Sequence, residues 1–456
     1  MPFRAGPPDK LGVSEEVKYL MLKTAKKISE RVWRHRYGFT LFAYLLAAGL
    51  TGLTCVTFMR GFEFVTAHRL DFSRCGAWAW VTTPLLFLIS VEMVRRIAPC
   101  ADGTGIPQAI FAAKHLTPST EPRLAPLTSP LTLGVKVTSL LLAVWAGASS
   151  GREGPTVHVA ACIFLGVILL FRRFFSFNLD SRSAVVAGGA AGLAAAFNTP
   201  LAGVTFAVEE LGSEHFATFK DYVILAIIAA AITAKLLTGE YAYFGTLADA
   251  PGVPLWGVLA IGVLGGLFGA FFSTAVLEGK KALVPYKTGR WRYALPVILA
   301  LGLLGVARVG GRDVLGPGNA VAQLLTHGDL TGWHPFFPVA KIAGTLLTYW
   351  SGIAGGIFAP SLSIGAALGA NAAQWMGLSV ALCALLGMAA FLSAVIQAPI
   401  TAFVIIFEMS GHHDNLLPVM LAALIAYMTA RVVGAKNLYQ TLSLNYAFLL
   451  ETPPPK

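Results

Sequence analysis

Charge is what this chain is shortest of. Only 12% of its 456 residues are Asp, Glu, Lys or Arg, about half the share found in soluble globular proteins, so an ordinary soluble fold is excluded. Cysteine is scarce as well: Cys55, Cys75, Cys100, Cys162 and Cys383 are scattered through apolar stretches, odd in number and without a CxxC pair. That excludes a disulfide framework and a zinc site and leaves small buried hydrophobes. There is no HExxH helix and no nucleophile motif, so an intramembrane enzyme built on Glu153 and His158 has nothing to carry its chemistry. The basic residues do not interleave with aromatics. They flank apolar runs, so the net charge of +11 speaks for lipid headgroups and against nucleic acid. The first 36 residues hold Lys23, Lys26, Lys27, Arg31, Arg34 and Arg36 but lack the apolar core of a secretory signal peptide.

Apolar runs are what the chain has in plenty, with 56% hydrophobic residues. Residues 39–58, 77–94, 223–237, 255–277, 293–307 and 416–427 with their flanks approach or exceed the roughly 18 to 20 needed to span a bilayer. The expected fold class is an all-α polytopic membrane protein. Basic residues at the start place the N-terminus in the cytoplasm, with an amphipathic surface helix over 17–32. The expected organisation is a basic segment 1–36, a membrane domain 37–442 and a short tail 443–456. Short termini give the expectation of a prokaryotic plasma-membrane form with no appended cytoplasmic module.

One polar interruption organises the rest. Gly151-Arg152-Glu153-Gly154-Pro155 breaks two strongly apolar segments and puts a carboxylate at membrane depth, where it must face a bundle interior or an aqueous cavity. Pro155 suits the first turn of a helix, and Gly151 and Gly154 let backbone approach closely. A helix opening here directs free N–H groups and the positive end of its dipole into a cavity, which is an anion site. Glu153 is a tethered anion that competes for that site, which makes it a candidate gate. Its bland alternative is a structural carboxylate paired with Arg152, itself read as mainly structural. Glu214-His215 and His412-His413-Asp414 tempt a metal reading, but they sit in polar connections without a closed ligand set, so no metal is expected.

The chain also repeats itself. Asn198-Thr199-Pro200 through Glu209 matches Gln397-Ala398-Pro399 through Glu408 at one constant offset of 199, and Gly151 to Pro155 finds a counterpart ending in Gly355-Gly356-Ile357-Phe358-Ala359-Pro360. Paired broken segments predict two inverted repeats, roughly 37–240 and 250–442, with a site at their interface.

In this light the sequence resembles the CLC family of chloride channels and proton/chloride exchangers. The resemblance is carried by GTGIP, with Gly103, Thr104, Gly105 and Pro107; by GREGP, with Gly151, Arg152, Glu153, Gly154 and Pro155; and by GGIFAP, with Gly355, Gly356 and Pro360. NTPLAGVTFAVEEL, QAPITAFVIIFEM and NLYQ add to it, and together they cover about 40–442. The resemblance implies a CLC-type fold of tilted and broken helices, a homodimer in the lipid bilayer, no cofactor, and chloride and protons as the transported ions. It implies that the backbone N–H groups of Ile357 and Phe358 and the hydroxyls of Thr104 and Tyr439 hold the anion. Glu153 is then the gate and Glu210, second of the Glu209-Glu210 pair, the internal proton relay. Because Glu210 is present, coupled exchange is expected ahead of a passive gated chloride channel.

Two positions depart from the pattern. Thr104 stands where chloride-selective members usually have Ser, which leaves anion selectivity open. His158 stands where Gln is frequent and receives no role from sequence. Thr104 also suits a helix N-cap and Tyr439 an aromatic-belt residue.

Overall fold

The structure is a computed structural model that describes residues 15–175, 180–212, 216–239, 243, 252–411 and 416–451. The His and Asp clusters at 214–215 and 412–414 lie outside the described residues. Among the described residues regular structure is helical, and the sole β pairing is a bridge between Gly151 and Gly356.

Seven described stretches are long and apolar enough to cross a membrane: Tyr37–Ala67, Gly76–Ile97, Glu121–Trp145, Glu153–Phe174, Lys220–Thr238, Leu255–Ala282 and Trp291–Gly310. The first is the end of one continuous helix, Glu15–Ala67, so the helical backbone over 17–32 runs unbroken into the first span. Val380–Ile396, Pro399–Ser410 and Leu416–Val432 are shorter. At 17 residues, Val380–Ile396 reaches about 25 Å, less than the roughly 30 Å of a hydrocarbon core. Such a helix suits the inside of the molecule. Ser181–Phe197, Phe358–Met376 and Val380–Ile396 are apolar nearly all round and almost entirely enclosed. Longer helices jacket them and turn Phe42, Leu45, Leu85, Ile232, Leu259 and Ile298 outward. An outward apolar surface of this kind is the surface a lipid environment requires.

The repeat seen in the sequence is built into the backbone. Ser181–Phe197 and Val380–Ile396 each end on a left-handed residue, Asn198 (φ 58°) and Gln397 (φ 57°), and these are the two described non-glycine residues with positive φ. Each is followed by a proline-opened helix, Pro200–Phe206 and Pro399–Ser410. Proline suits the first turn because its missing N–H belongs to the unpaired set there.

The two repeats then cap one another. Glu408 accepts from the backbone N–H groups of Leu201 (3.1 Å) and Ala202 (2.7 Å). Glu209 accepts from those of Ile400 (3.1 Å) and Thr401 (2.6 Å) and from the Thr401 hydroxyl (2.7 Å). Each carboxylate thus satisfies the open N-terminus of the other repeat's helix and complements its dipole. This separates Glu209, a cap, from its neighbour Glu210.

A further pair was not seen in the sequence. Lys136, on Pro130–Trp145, and Lys341, on Phe337–Ser351, are both fully buried. Lys136 donates to the carbonyls of Gly103 (3.0 Å) and Asp102 (3.4 Å); Lys341 donates to those of Val314 (2.8 Å) and Gly316 (2.6 Å). Gly316-Pro317-Gly318-Asn319 is therefore the second repeat's counterpart of Gly103-Thr104-Gly105-Ile106. Both glycines of each element have positive φ.

Glu209→Ala and Glu408→Ala should each remove about 1 kcal/mol of helix capping. Each should lower the midpoint of thermal unfolding in detergent by a few degrees, read by fluorescence, and the double variant should lower it further.

Candidate functional site

Three helices begin at one buried point. Ile106–His115 opens behind Gly105, Glu153–Phe174 behind Arg152 and Phe358–Met376 behind Ile357, and none of the three has a side-chain cap. Their first N–H groups have no partner within the helix, so each start presents partial positive charge.

Close backbone contact is what brings the starts together. Gly151 and Gly356 exchange hydrogen bonds, N to O at 2.8 and 3.1 Å, which fastens the Glu153 start to the Phe358 start. A Cβ on Gly356 would stand 2.7 Å from the Gly151 carbonyl, so a side chain would prise the pair apart. Gly105, at φ 98°, turns the chain into its helix where a Cβ would meet the Gly154 carbonyl and the His158 Cβ, each at 2.8 Å. Only glycine serves there. From the other side, Gly154 abuts the Thr104 carbonyl and Cβ. Gly103 donates to the Ile353 carbonyl (3.2 Å) and lies beside the Tyr349 hydroxyl.

Thr104, Glu153 and Tyr439 are all buried at this junction. The Thr104 hydroxyl caps no helix: Gly105 occupies the N-cap position, and Oγ1 is buried without a hydrogen-bond partner among the described residues. A buried hydroxyl costs free energy when left unpaired, so an orphan of this kind points to a ligand. Glu153 is fully buried. Its Oε1 accepts from the Tyr243 hydroxyl (3.3 Å), while Oε2 has no side-chain partner among the described residues. The carboxylate lies over Gly151, which the Ala359 amide also approaches. The alternative pairing with Arg152 is not what the geometry shows. Arg152, 3% exposed, bonds Glu63 (3.0 Å) and the Met59 carbonyl (3.3 Å).

Tyr439 belongs to a buried helix start, not an aromatic belt. It is 1% exposed on the short helix Leu438–Ser443, which packs against Ile106–His115, and it stands within electrostatic range of Tyr349, Glu153 and Glu210. Glu210, 2% exposed, is held by that same short segment: Asn437 Nδ2 donates to Oε1 (2.9 Å) and Gln440 Nε2 to Oε2 (3.2 Å). Gln440 also receives a hydrogen bond from Lys114, an exposed residue at the end of Ile106–His115. A polar chain thus leads from Glu210 to the surface. Glu209 and Glu210, neighbours on the π-helical turn Ala207–Leu211, face different partners because consecutive side chains on a helix point in different directions.

Sequence reading brought Glu153, Glu210, Thr104, Tyr439, Ile357 and Phe358 forward; the fold brings the segments of Thr104, Glu153, Ile357 and Phe358 together and sets Glu210 against the short segment that carries Tyr439. It did not find Asn437, Gln440, Tyr243, Asn319 or Lys136. The NLYQ string contained two of these, but nothing local showed that its amides meet Glu210. His158, which received no role, donates from Nε2 to the Leu127 carbonyl at 2.7 Å. That carbonyl lies in the last turn of Glu121–Thr128, where helix carbonyls lack partners. The histidine is a C-terminal cap for its neighbour.

Helix N-termini converging on a buried carboxylate, inside an inverted repeat of broken membrane helices, define a multi-pass membrane transport protein that handles a small anion. A family model described as "Voltage gated chloride channel" matches residues 86–431. The chain is 31% identical over 447 residues to the H(+)/Cl(-) exchange transporter ClcA of Yersinia pestis bv. Antiqua (strain Angola), covering 92% of this chain and 90% of the relative. It is 32% identical over 429 residues to that of Cronobacter sakazakii (strain ATCC BAA-894), covering 88% and 90%. Among solved structures, a slow cyanobacterial Cl-/H+ antiporter superposes with a TM-score of 0.76 at 24% identity, covering 91% of this chain and 98% of that one. A CLC-type fluoride/proton antiporter superposes with 0.68 at 21%, covering 86% and 95%. Both are likenesses of fold. The chain belongs to the voltage gated chloride channel family, the CLC family.

His158→Leu should leave the Leu127 carbonyl with only the weak Cys162 thiol donor at 4.0 Å and cost about 1 to 3 kcal/mol. Its thermal midpoint in detergent should fall, while His158→Gln, which keeps an N–H donor, should stay near wild type.

Proposed function

We propose that this protein is a secondary active transporter that exchanges chloride for protons across the plasma membrane, with its N-terminus in the cytoplasm and two copies forming a homodimer. One observation carries the proposal: a fully buried carboxylate, Glu153, stands at the junction of three uncapped helix starts beside an unpaired Thr104 hydroxyl. Membership of the family and the names of the ClcA relatives support chloride and protons as the ions.

The physical chemistry follows from the arrangement. A chloride ion entering the junction loses water, and the N–H groups at Ile357 and Phe358 with the hydroxyls of Thr104 and Tyr439 replace it by fixed dipoles. No full cation is needed, so the ion is held without being trapped. The ionised Glu153 carboxylate competes with chloride for the outer part of this seat. On protonation it loses its attraction to the helix starts and leaves, which opens the path and carries a proton. Glu210 takes protons from the cytoplasmic side, and its hydrogen bonds to Asn437 and Gln440 keep it beside the Tyr439 helix. Anion and proton thus share Glu153 and part company between it and Glu210.

The test is reconstitution in liposomes with a chloride gradient, recording chloride efflux and external pH together. Wild type should drive protons uphill. Glu210→Gln should keep chloride flux and lose proton movement, and Glu153→Gln should also lose coupling. Chloride flux without proton movement in wild type would overturn exchange and leave a gated channel. If chloride does not move, fluoride and nitrate are tried next, with Thr104→Ser as the selectivity variant.

A further inference from the structure

We infer that Tyr243 and Asn319 form a latch that holds the Glu153 carboxylate in its seat from the outer side, and so acts as a brake on turnover. The inference rests on the reading of Glu153 as the gate.

The latch is a chain of two hydrogen bonds. The Tyr243 hydroxyl donates to Glu153 Oε1 at 3.3 Å and accepts from Asn319 Nδ2 at 2.6 Å. Tyr243 is 5% exposed, and its ring meets Phe197 edge-on at 5.3 Å, with Phe197 in turn 5.3 Å from Phe358. The ring is therefore positioned by packing, and its hydroxyl stands against the carboxylate. Asn319 is the first residue of the helix Asn319–Thr326, in the second repeat's glycine element, whose Gly316 carbonyl is pinned by buried Lys341.

The position of the latch explains what it would govern. Asn319 lines a cavity of about 300 Å³ together with Glu63, Thr66, Arg69, Arg152 and Asp313. Thr66 ends the first span, so with a cytoplasmic N-terminus this cavity opens outward. The order inward from it is Asn319, Tyr243, Glu153. The titratable groups facing Glu153 are Arg152 on its own helix, Tyr243, and Tyr439 from the NLYQ helix. Arg152 is engaged with Glu63 and Met59, which leaves Tyr243 as the side chain bonded to the carboxylate among the described residues. A carboxylate held by a fixed donor leaves its seat less often and yields it to an anion less readily. Asn319 fixes the phenol by occupying its oxygen as an acceptor, so that the O–H points to Glu153.

Tyr243→Phe keeps the ring and removes the bond. In liposomes it should raise coupled turnover roughly three- to tenfold, the range of one ordinary hydrogen bond, with the chloride-to-proton ratio unchanged. By titration calorimetry of the purified full-length protein with chloride, affinity should rise by a similar factor. Asn319→Ala should shift both in the same direction by less. In a Glu153→Ala background, where chloride moves without protons, Tyr243→Phe should change neither chloride flux nor affinity, because the latch has nothing to hold. Wild-type turnover and affinity in Tyr243→Phe would overturn the latch, as would equal acceleration in the Glu153→Ala background, which would mark Tyr243 as a mere constriction. Absence of coupled exchange in wild type would overturn the proposed function, while calorimetry, which needs no coupling, would still decide the latch. Absence of chloride binding in wild type would overturn both.

Discussion

An anion at membrane depth has to be stabilised without a full positive charge, and the rest of the structure follows from that constraint. A buried cation opposite the seat would hold the ion too tightly to release it, whereas no compensation would exclude it. Partial charges at helix starts lie between these limits. To assemble three starts at one point, the helices must begin inside the molecule, so they are broken and their first turns carry no side-chain caps. Backbones must also come nearer than side chains permit, and this is why glycine stands at 105, 151 and 356.

The inverted repeat solves the remaining difficulty, which is what to do with all the other helix ends that such breaks create. Each repeat satisfies the ends of the other. Glu209 and Glu408 cap across the repeat interface and Gly151 and Gly356 pair backbone to backbone, while Lys136 and Lys341 each take up carbonyls of a glycine turn within their own repeat. The buried lysine side chains are tolerable because backbone carbonyls accept from their amino groups in place of water. The starts at 106, 153 and 358 are uncapped and meet at one buried point, so the site is where this reciprocal satisfaction is withheld. The asymmetry between the two acidic neighbours follows as well. Glu209 is spent on a helix end, while Glu210, one position on along a π-helical turn, faces the amides of Asn437 and Gln440.

Much of this was legible in the chain. A carboxylate between two apolar runs, glycines flanking it and a proline just after it report on local chemistry, and local chemistry is what a sequence displays. The self-match at a constant offset was also visible, because both copies keep the proline and the carboxylate that a capped helix start requires. The Gly316 element was not recognised as the counterpart of Gly103, since the two share only their glycines, and their equivalence rests on where two buried lysines reach.

Composition and pattern along the chain therefore specify the class and the inventory: a polytopic helical membrane protein, two repeats, a short set of polar residues that lipid does not permit to be idle. Charge scarcity and helical length settle the first, and the cost of burying a carboxylate settles the last. Only the tertiary structure decided which of those residues meet. Asn319 and Tyr243 are 76 positions apart, Asn437 and Glu210 are 227 apart, and Leu201 and Glu408 are 207 apart. A hydrogen bond acts over about 3 Å in space and is indifferent to distance along the chain, so partners of this kind exist only once the helices have packed.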